Sequence, residues 1–142
     1  MTTMRYLLLV LALAGVIVST LALRVHYQTG TQPCDINEHW DCGVVNHSSF
    51  AMMGGIPIAA IGIAGYLLLG LLAFLRQRYV LLLAVFAAFC FALRLTFIEE
   101  YALLVWCLYC VISQGIISLM LLASLGWFSA EYLRLRRAGP AA

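Results

Sequence analysis

Four long apolar runs, separated by short polar breaks, leave this chain very few folds. Residues 6–23 are interrupted only by Gly15, Ser19 and Thr20. At about 1.5 Å of rise per residue, such a run as a helix just crosses a ~30 Å hydrocarbon core. Residues 56–75 form a second run, with Pro57 near its N-terminal turn, where a missing N–H is tolerated. Residues 79–98 and 101–128 form the third and fourth. The basic tripeptide at 76–78 reads as a tight turn, and Glu99 with Glu100 as a tight acidic turn. A chain that is 65% hydrophobic and 10% charged has too few polar residues to cover itself in water. The predicted class is an all-α membrane protein. Its four transmembrane helices form a bundle within one integral membrane domain, 1–142. A cleaved signal peptide is the rival for the first run. The run is longer than the usual apolar region of about 7–15 residues, and 21–24 makes a poor cleavage site.

Orientation follows from the arginines, because basic residues stay on the cytoplasmic side. With both termini inside, Arg5, Arg76, Arg78, Arg134, Arg136 and Arg137 are all cytoplasmic, the last three in a basic tail, 131–142. Asp35, Glu38, Asp41, Glu99 and Glu100 then fall outside. The polar loop 24–55 between the first two spans is therefore extracytoplasmic. Within it, 44–53 reads as a short helix lying at the membrane surface, with Asn46 or Ser48 near its start.

This topology brings two cysteine pairs to the same exterior. Cys107 and Cys110, three residues apart, would share one face at the head of a helix. The positive end of a helix dipole stabilises a thiolate there, and the second cysteine can close a reversible disulfide. As a permanent staple the pair would constrain almost nothing. Gln114 and Ser118 continue the same face, with Gln114 either bonding another helix or donating to a ligand carbonyl. Cys34 and Cys42 lie in the loop. A structural staple is one reading of that pair, and exchange with the helix-borne dithiol is the other. Four-cysteine zinc binding is disfavoured on a disulfide-permissive side, so no metal is expected. Cys90 is left over as a packing residue. Arg94, one turn from the outer edge, is expected to snorkel or to pair with Glu99 or Glu100. Nothing suggests nucleic-acid binding.

In this order and spacing the residues resemble the vitamin K epoxide reductase family. Cys34–Asp35 is followed eight positions after Cys34 by Cys42, and Ser48 stands six residues after Cys42. The run from Gly55 and Pro57 to Gly62 follows, and then Cys107–Leu108–Tyr109–Cys110 at the head of the fourth span. The resemblance covers roughly residues 5–130. It implies a quinone-linked thiol oxidoreductase of a bacterial inner membrane that supports disulfide formation. A separate periplasmic thioredoxin-fold thiol oxidase reduces Cys34–Cys42. Cys42 then attacks Cys107, and Cys110 delivers two electrons to a membrane quinone of the ubiquinone or menaquinone type. Ser48 and Gln114, with Asn46 and Phe50, are the quinone contacts expected on this basis. Many bacterial relatives carry a fused thioredoxin-like domain, which this sequence lacks. Members that reduce vitamin K epoxide have a tyrosine where this chain has Gln114, which counts against epoxide reduction. Recycling of a vitamin K quinone or epoxide is one alternative. A non-enzymatic membrane protein with a disulfide-stapled ectodomain is the other, and it predicts that Cys107 and Cys110 are dispensable.

Overall fold

The computed structural model describes residues 2–139, so the last three residues of the expected basic tail lie outside the described residues. The order of elements is α1 (Thr2–Tyr27), α2 (Cys42–His47), a 3-10 turn (Ser49–Ala51), β1 (Met52–Met53), β2 (Ile56–Pro57), α3 (Ile58–Phe74), α4 (Arg78–Ile98), a π-helical turn (Glu99–Leu103) and α5 (Leu108–Arg137). The chain is mostly helical. Three of its helical stretches are long and apolar enough to cross a membrane, namely Thr2–Tyr27, Arg78–Leu103 and Leu108–Arg137. The fourth, Ile58–Phe74, is apolar but shorter.

Small residues set how the helices approach. α1 packs along α3 and α5, α5 packs along α4, and α3 packs more loosely against α4. On α1, Ala12, Gly15 and Ser19 recur every three to four residues and face α3. A Cβ at Gly15 would overlap the Tyr66 ring, and one at Gly62 would lie 2.9 Å from Ser19 Oγ. Within a bilayer, van der Waals packing takes over from the hydrophobic effect in holding helices together, so such close backbone approach is favourable. The main core includes Leu8, Ala12, Tyr66, Leu69, Leu81, Val85, Ile117, Met120 and Trp127. It fills the end of the bundle that carries the arginines. There Arg78 pairs with Glu131 at 2.9 Å, and the Arg5 guanidinium lies 4.8 Å from the Phe74 ring centre. A second, smaller cluster of Val25, Cys34, Cys42, Val45 and Cys107 closes the opposite end.

The loop departs from expectation in detail. The short helix starts at Cys42 rather than at residue 44 and stops at His47. Asp41 is its N-cap, accepting the Val44 N–H at 2.9 Å, so the capping oxygen comes from neither Asn46 nor Ser48. β1 and β2 form a minimal hairpin about Gly54 and Gly55, both at positive φ (58° and 81°), as a two-residue hairpin turn requires.

The expected acidic turn at Glu99–Glu100 does not form. Helical winding continues through Leu103 and ends at Leu104, whose φ of 56° is left-handed. That conformation costs a leucine on the order of 1 kcal/mol and turns the chain sharply out of the helix. Residues 105–107 are then extended, and α5 begins at Leu108 instead of at 101. Glu99 therefore lies inside the bundle, 3% exposed, while Glu100 is exposed. Arg94 is exposed, and it pairs with neither glutamate among the described residues.

Candidate active site

Three of the four paired cysteines come together although they are far apart in sequence. Cys34 and Cys42 form a disulfide with their Cα atoms 5.8 Å apart. The Cys107 thiol lies 3.5 Å from Cys42 Sγ, across 65 residues of chain. All three are buried, Cys34 at 3% and Cys42 and Cys107 at 0% exposure. Cys107 is the N-cap residue of α5, and Cys110 lies in its first turn, both as free thiols.

The loop is stitched to the head of α5 by main-chain bonds. Trp106 N–H donates to His39 O at 2.8 Å, and Asp41 N–H donates to Trp106 O at 3.0 Å. The Trp40 and Trp106 rings lie 6.3 Å apart over this junction. Asp35 ties the disulfide loop together internally, accepting Gln32 N–H at 2.6 Å and Gly43 N–H at 3.1 Å. Burial is the largest single effect and works against its charge, but these bonds and those from Asp41 and Cys42 together outweigh it, holding its carboxyl below the usual range.

Asn46 is buried between the two pairs. Its amide donates to Cys42 O at 2.9 Å and to Cys107 Sγ at 3.5 Å. The Cys107 thiol is held below its ordinary range first by the Cys110 side chain, with help from the Cys110 N–H and from Asn46. Burial and the nearby Glu99 charge oppose this and are outweighed. The Cys107 N–H donates to Glu99 Oε2 at 3.2 Å.

Beside the thiols a cavity of about 390 Å³ opens between α1, α3, α4 and α5. This is the size of a small-molecule site, and its walls are largely apolar. α3 and α4 supply Gly62, Gly65, Ala87, Ala88 and Ala92, whose small side chains leave the space. Polar groups reach it at intervals: His26, Asn46, Ser48, Tyr66, Glu99, Cys110 and Ser113. Tyr66 and Ser113 share a hydrogen bond of 2.8 Å, and Tyr66 also donates to Ser113 O at 3.0 Å. His26 Nδ1 is 2.6 Å from Asn46 O, so that nitrogen carries the proton.

Among the expected quinone contacts, Asn46, Ser48 and Phe50 line this cavity, and Cys110 opens into it. Gln114 does not line it. Cys107 is the N-cap residue of α5 and lies outside the helix proper. The cavity side of α5 is Tyr109, Cys110, Ser113 and Ile117, and Gln114 is rotated away from it. Its Oε1 is buried without a partner, and its main-chain oxygen accepts the Ser118 hydroxyl at 2.7 Å. Sequence reasoning missed Glu99, Tyr66, Ser113 and His26. An acid that continues an apolar run without an arginine opposite was the available signal for Glu99. Tyr66, in an apolar run, carried no signal of its own. Cys90 is exposed on the outer surface of α4, away from the other thiols. No cluster able to hold a metal ion is present among the described residues.

A search of curated proteins returns no match. The profile of the vitamin K epoxide reductase family, however, matches residues 6–135, nearly the whole chain. Its extent takes in the disulfide loop, the cavity and the thiols of α5 together, and on that match the chain belongs to the vitamin K epoxide reductase family.

Proposed function

We propose that this protein is a quinone-linked thiol oxidoreductase, a single membrane domain over 1–142 with four spans. α3, at 17 residues and about 25 Å, is the shortest of them. Family membership makes the chain an oxidoreductase, and its apolar helices make it an integral membrane protein. In the proposed reaction a thioredoxin-fold thiol oxidase reduces the Cys34–Cys42 disulfide. Cys42 passes the electrons to Cys107 and Cys110, and a membrane quinone takes them from Cys110. Six of the eight arginines gather at one end, which supports cytoplasmic termini and, with them, thiols on the extracytoplasmic side of a bacterial inner membrane.

The observation that carries this reading is the 3.5 Å approach of the Cys107 thiol to Cys42 Sγ, with Cys110 opening into the cavity. A thiolate at Cys107 is within attacking distance of a disulfide sulfur, and exchange runs in either direction across that contact. Cys110 forms the junction between this exchange and an apolar chamber. The chamber is bounded by α3 and α4, which pack together less tightly than α1 with α3, α1 with α5 or α4 with α5, and a lipid-soluble quinone would enter there. Asn46, Ser48 and Phe50 would border the quinone at the outer end, and Tyr66 with Ser113 at the inner end. The pocket positions the quinone and excludes water, and the thiols supply the electrons.

The test is Cys110→Ser. With the resolving sulfur gone, a disulfide between Cys42 and Cys107 should accumulate and be identifiable by mass spectrometry of cleaved peptides. A dominant link between Cys34 and Cys107, or no trapped link, would reject the assignment of Cys42 as the shuttle.

A further inference from the structure

Glu99 is a carboxyl group almost wholly inside the protein, 3% exposed, and no arginine pairs with it among the described residues. Burying an unpaired carboxylate is unfavourable by several kcal/mol, so a carboxyl kept in such a place needs an explanation. Its surroundings are specific. Oε2 accepts the Cys107 N–H at 3.2 Å, one turn of chain before Cys110. Glu99 also lines the cavity beside Cys110. The other titratable groups on the cavity are His26, Tyr66 and Tyr109. The Nδ1 proton of His26 is given to Asn46 O, and the hydroxyl proton of Tyr66 to Ser113. Glu99 is the carboxyl group among them.

The proposed reaction has a proton imbalance that this placement resolves. A quinone takes up two electrons and two protons. A dithiol held as one thiolate and one thiol, the form that the Asn46 N–H directed at Cys107 Sγ favours, carries only one proton. We propose that Glu99 holds the second proton while the dithiol is reduced and delivers it when the quinone is reduced. This rests on the thiol relay described above.

The two half-reactions then balance without bulk water. In the first, the thiols of Cys34 and Cys42 and the Cys107–Cys110 disulfide, with Glu99 ionised, become the Cys34–Cys42 disulfide, a Cys107 thiolate, a Cys110 thiol and protonated Glu99. Two protons and one negative charge stand on each side. In the second, the Cys107 thiolate, the Cys110 thiol and protonated Glu99 give two electrons and two protons to the quinone. A Cys107–Cys110 disulfide and an ionised Glu99 remain, again with one negative charge on each side. The site thus carries one charge throughout, on sulfur or on carboxylate, because two like charges in one buried pocket disfavour each other. The Cys107 N–H meets that charge in either position: it donates to the carboxylate and it adjoins the thiolate.

Glu99→Gln separates this role from a structural one, because the amide oxygen still accepts the Cys107 N–H but carries no exchangeable acid proton. The full-length protein in detergent is reduced with dithiothreitol and mixed with a short-chain ubiquinone analogue, and its reoxidation is followed. Positioned general acids contribute about 10²–10⁴-fold. We expect Glu99→Gln to slow this step by about 10-fold or more, and Glu99→Asp to recover much of the loss. A Glu99→Gln rate within about twofold of wild type overturns the proposal. A second measurement uses no quinone. The reduced-minus-oxidised infrared difference spectrum of the dithiothreitol-treated protein should show a protonated-carboxyl band that Glu99→Gln lacks, and its absence from the wild type overturns the proposal. If Glu99→Gln does not fold, the infrared band of the wild type decides. Cys110→Ala tests the relay separately. If quinone reduction survives in that variant the relay fails, and the infrared band still reports on Glu99.

Discussion

Asn46→Leu removes a single donor group from between the two cysteine pairs while keeping the branching at Cγ. Asn46 is 6% exposed, so no water replaces the lost N–H groups. A hydrogen bond to a charged partner is typically worth about 1.5–3 kcal/mol, and the 3.5 Å separation from Cys107 Sγ favours the low end. A loss of about 1.4 kcal/mol is tenfold in proton affinity. The bond favours the thiolate, so its loss moves the Cys107 titration upward. Below that titration the thiolate population falls about tenfold. The exchange rate falls less, because a more basic thiolate is the better nucleophile. With a Brønsted coefficient of about 0.4–0.5, about threefold of the tenfold is recovered, and exchange slows about threefold. The linkage has a definite sign. A group depressed in the folded state stabilises it at high pH and stops doing so as pH falls through the folded titration. The gap in thermal stability between wild type and Asn46→Leu should therefore widen as pH rises. The assay is ultraviolet thiolate absorbance against pH in the reduced protein, with Cys90→Ala to remove the surface thiol. A Cys107 transition at the same pH in both proteins would refute the role given to Asn46.

Gln114→Leu should leave quinone turnover within about twofold of wild type. It should also not lower the unfolding temperature in detergent, because it removes a buried acceptor without a partner, a group that costs about 1–3 kcal/mol. Tyr66→Phe breaks the hydrogen bonds to Ser113, worth about 0.5–1.5 kcal/mol each, and should raise the quinone KM several-fold while thiol exchange with the loop continues. Gly15→Ala drives a methyl group into the Tyr66 ring and should destabilise the α1–α3 contact by about 1–3 kcal/mol, read by thermal unfolding, with quinone binding weakened in parallel.

The apolar runs were legible because nothing else explains 65% hydrophobic residues in 142. The pairing of Cys34 with Cys42 was legible as one of the readings of an eight-residue spacing. What escaped is what depends on where helices stop. Two adjacent glutamates look like a turn, yet winding continues to Leu103 and carries Glu99 inside. The left-handed Leu104 is written in no motif, and it delays α5 until after Cys107. Which side of α5 meets the cavity was equally unwritten, and the cavity takes Ser113 rather than Gln114. The contact between Cys42 and Cys107 spans 65 residues, and only packing brings it about. Gly15 and Gly62 were visible as small residues, but their role against Tyr66 and Ser19 needs the facing helix.

The stitching of the disulfide loop to Trp106 has a consequence for leakage. The sulfurs of Cys34, Cys42 and Cys107 lie beneath a cover of main-chain bonds and two tryptophans. A small thiol or oxidant dissolved in the surrounding water meets that cover first. In the proposed relay the circuit would be insulated along its length and open at two terminals. One is the apolar chamber, which admits molecules that dissolve in lipid. The other would be the loop, where a macromolecule large enough to pull Trp40 away from Trp106 would gain access to Cys34. Selectivity at the outer terminal is then set by the work of lifting the cover. On the proposed relay, short circuits through abundant small thiols would be suppressed by that cover alone.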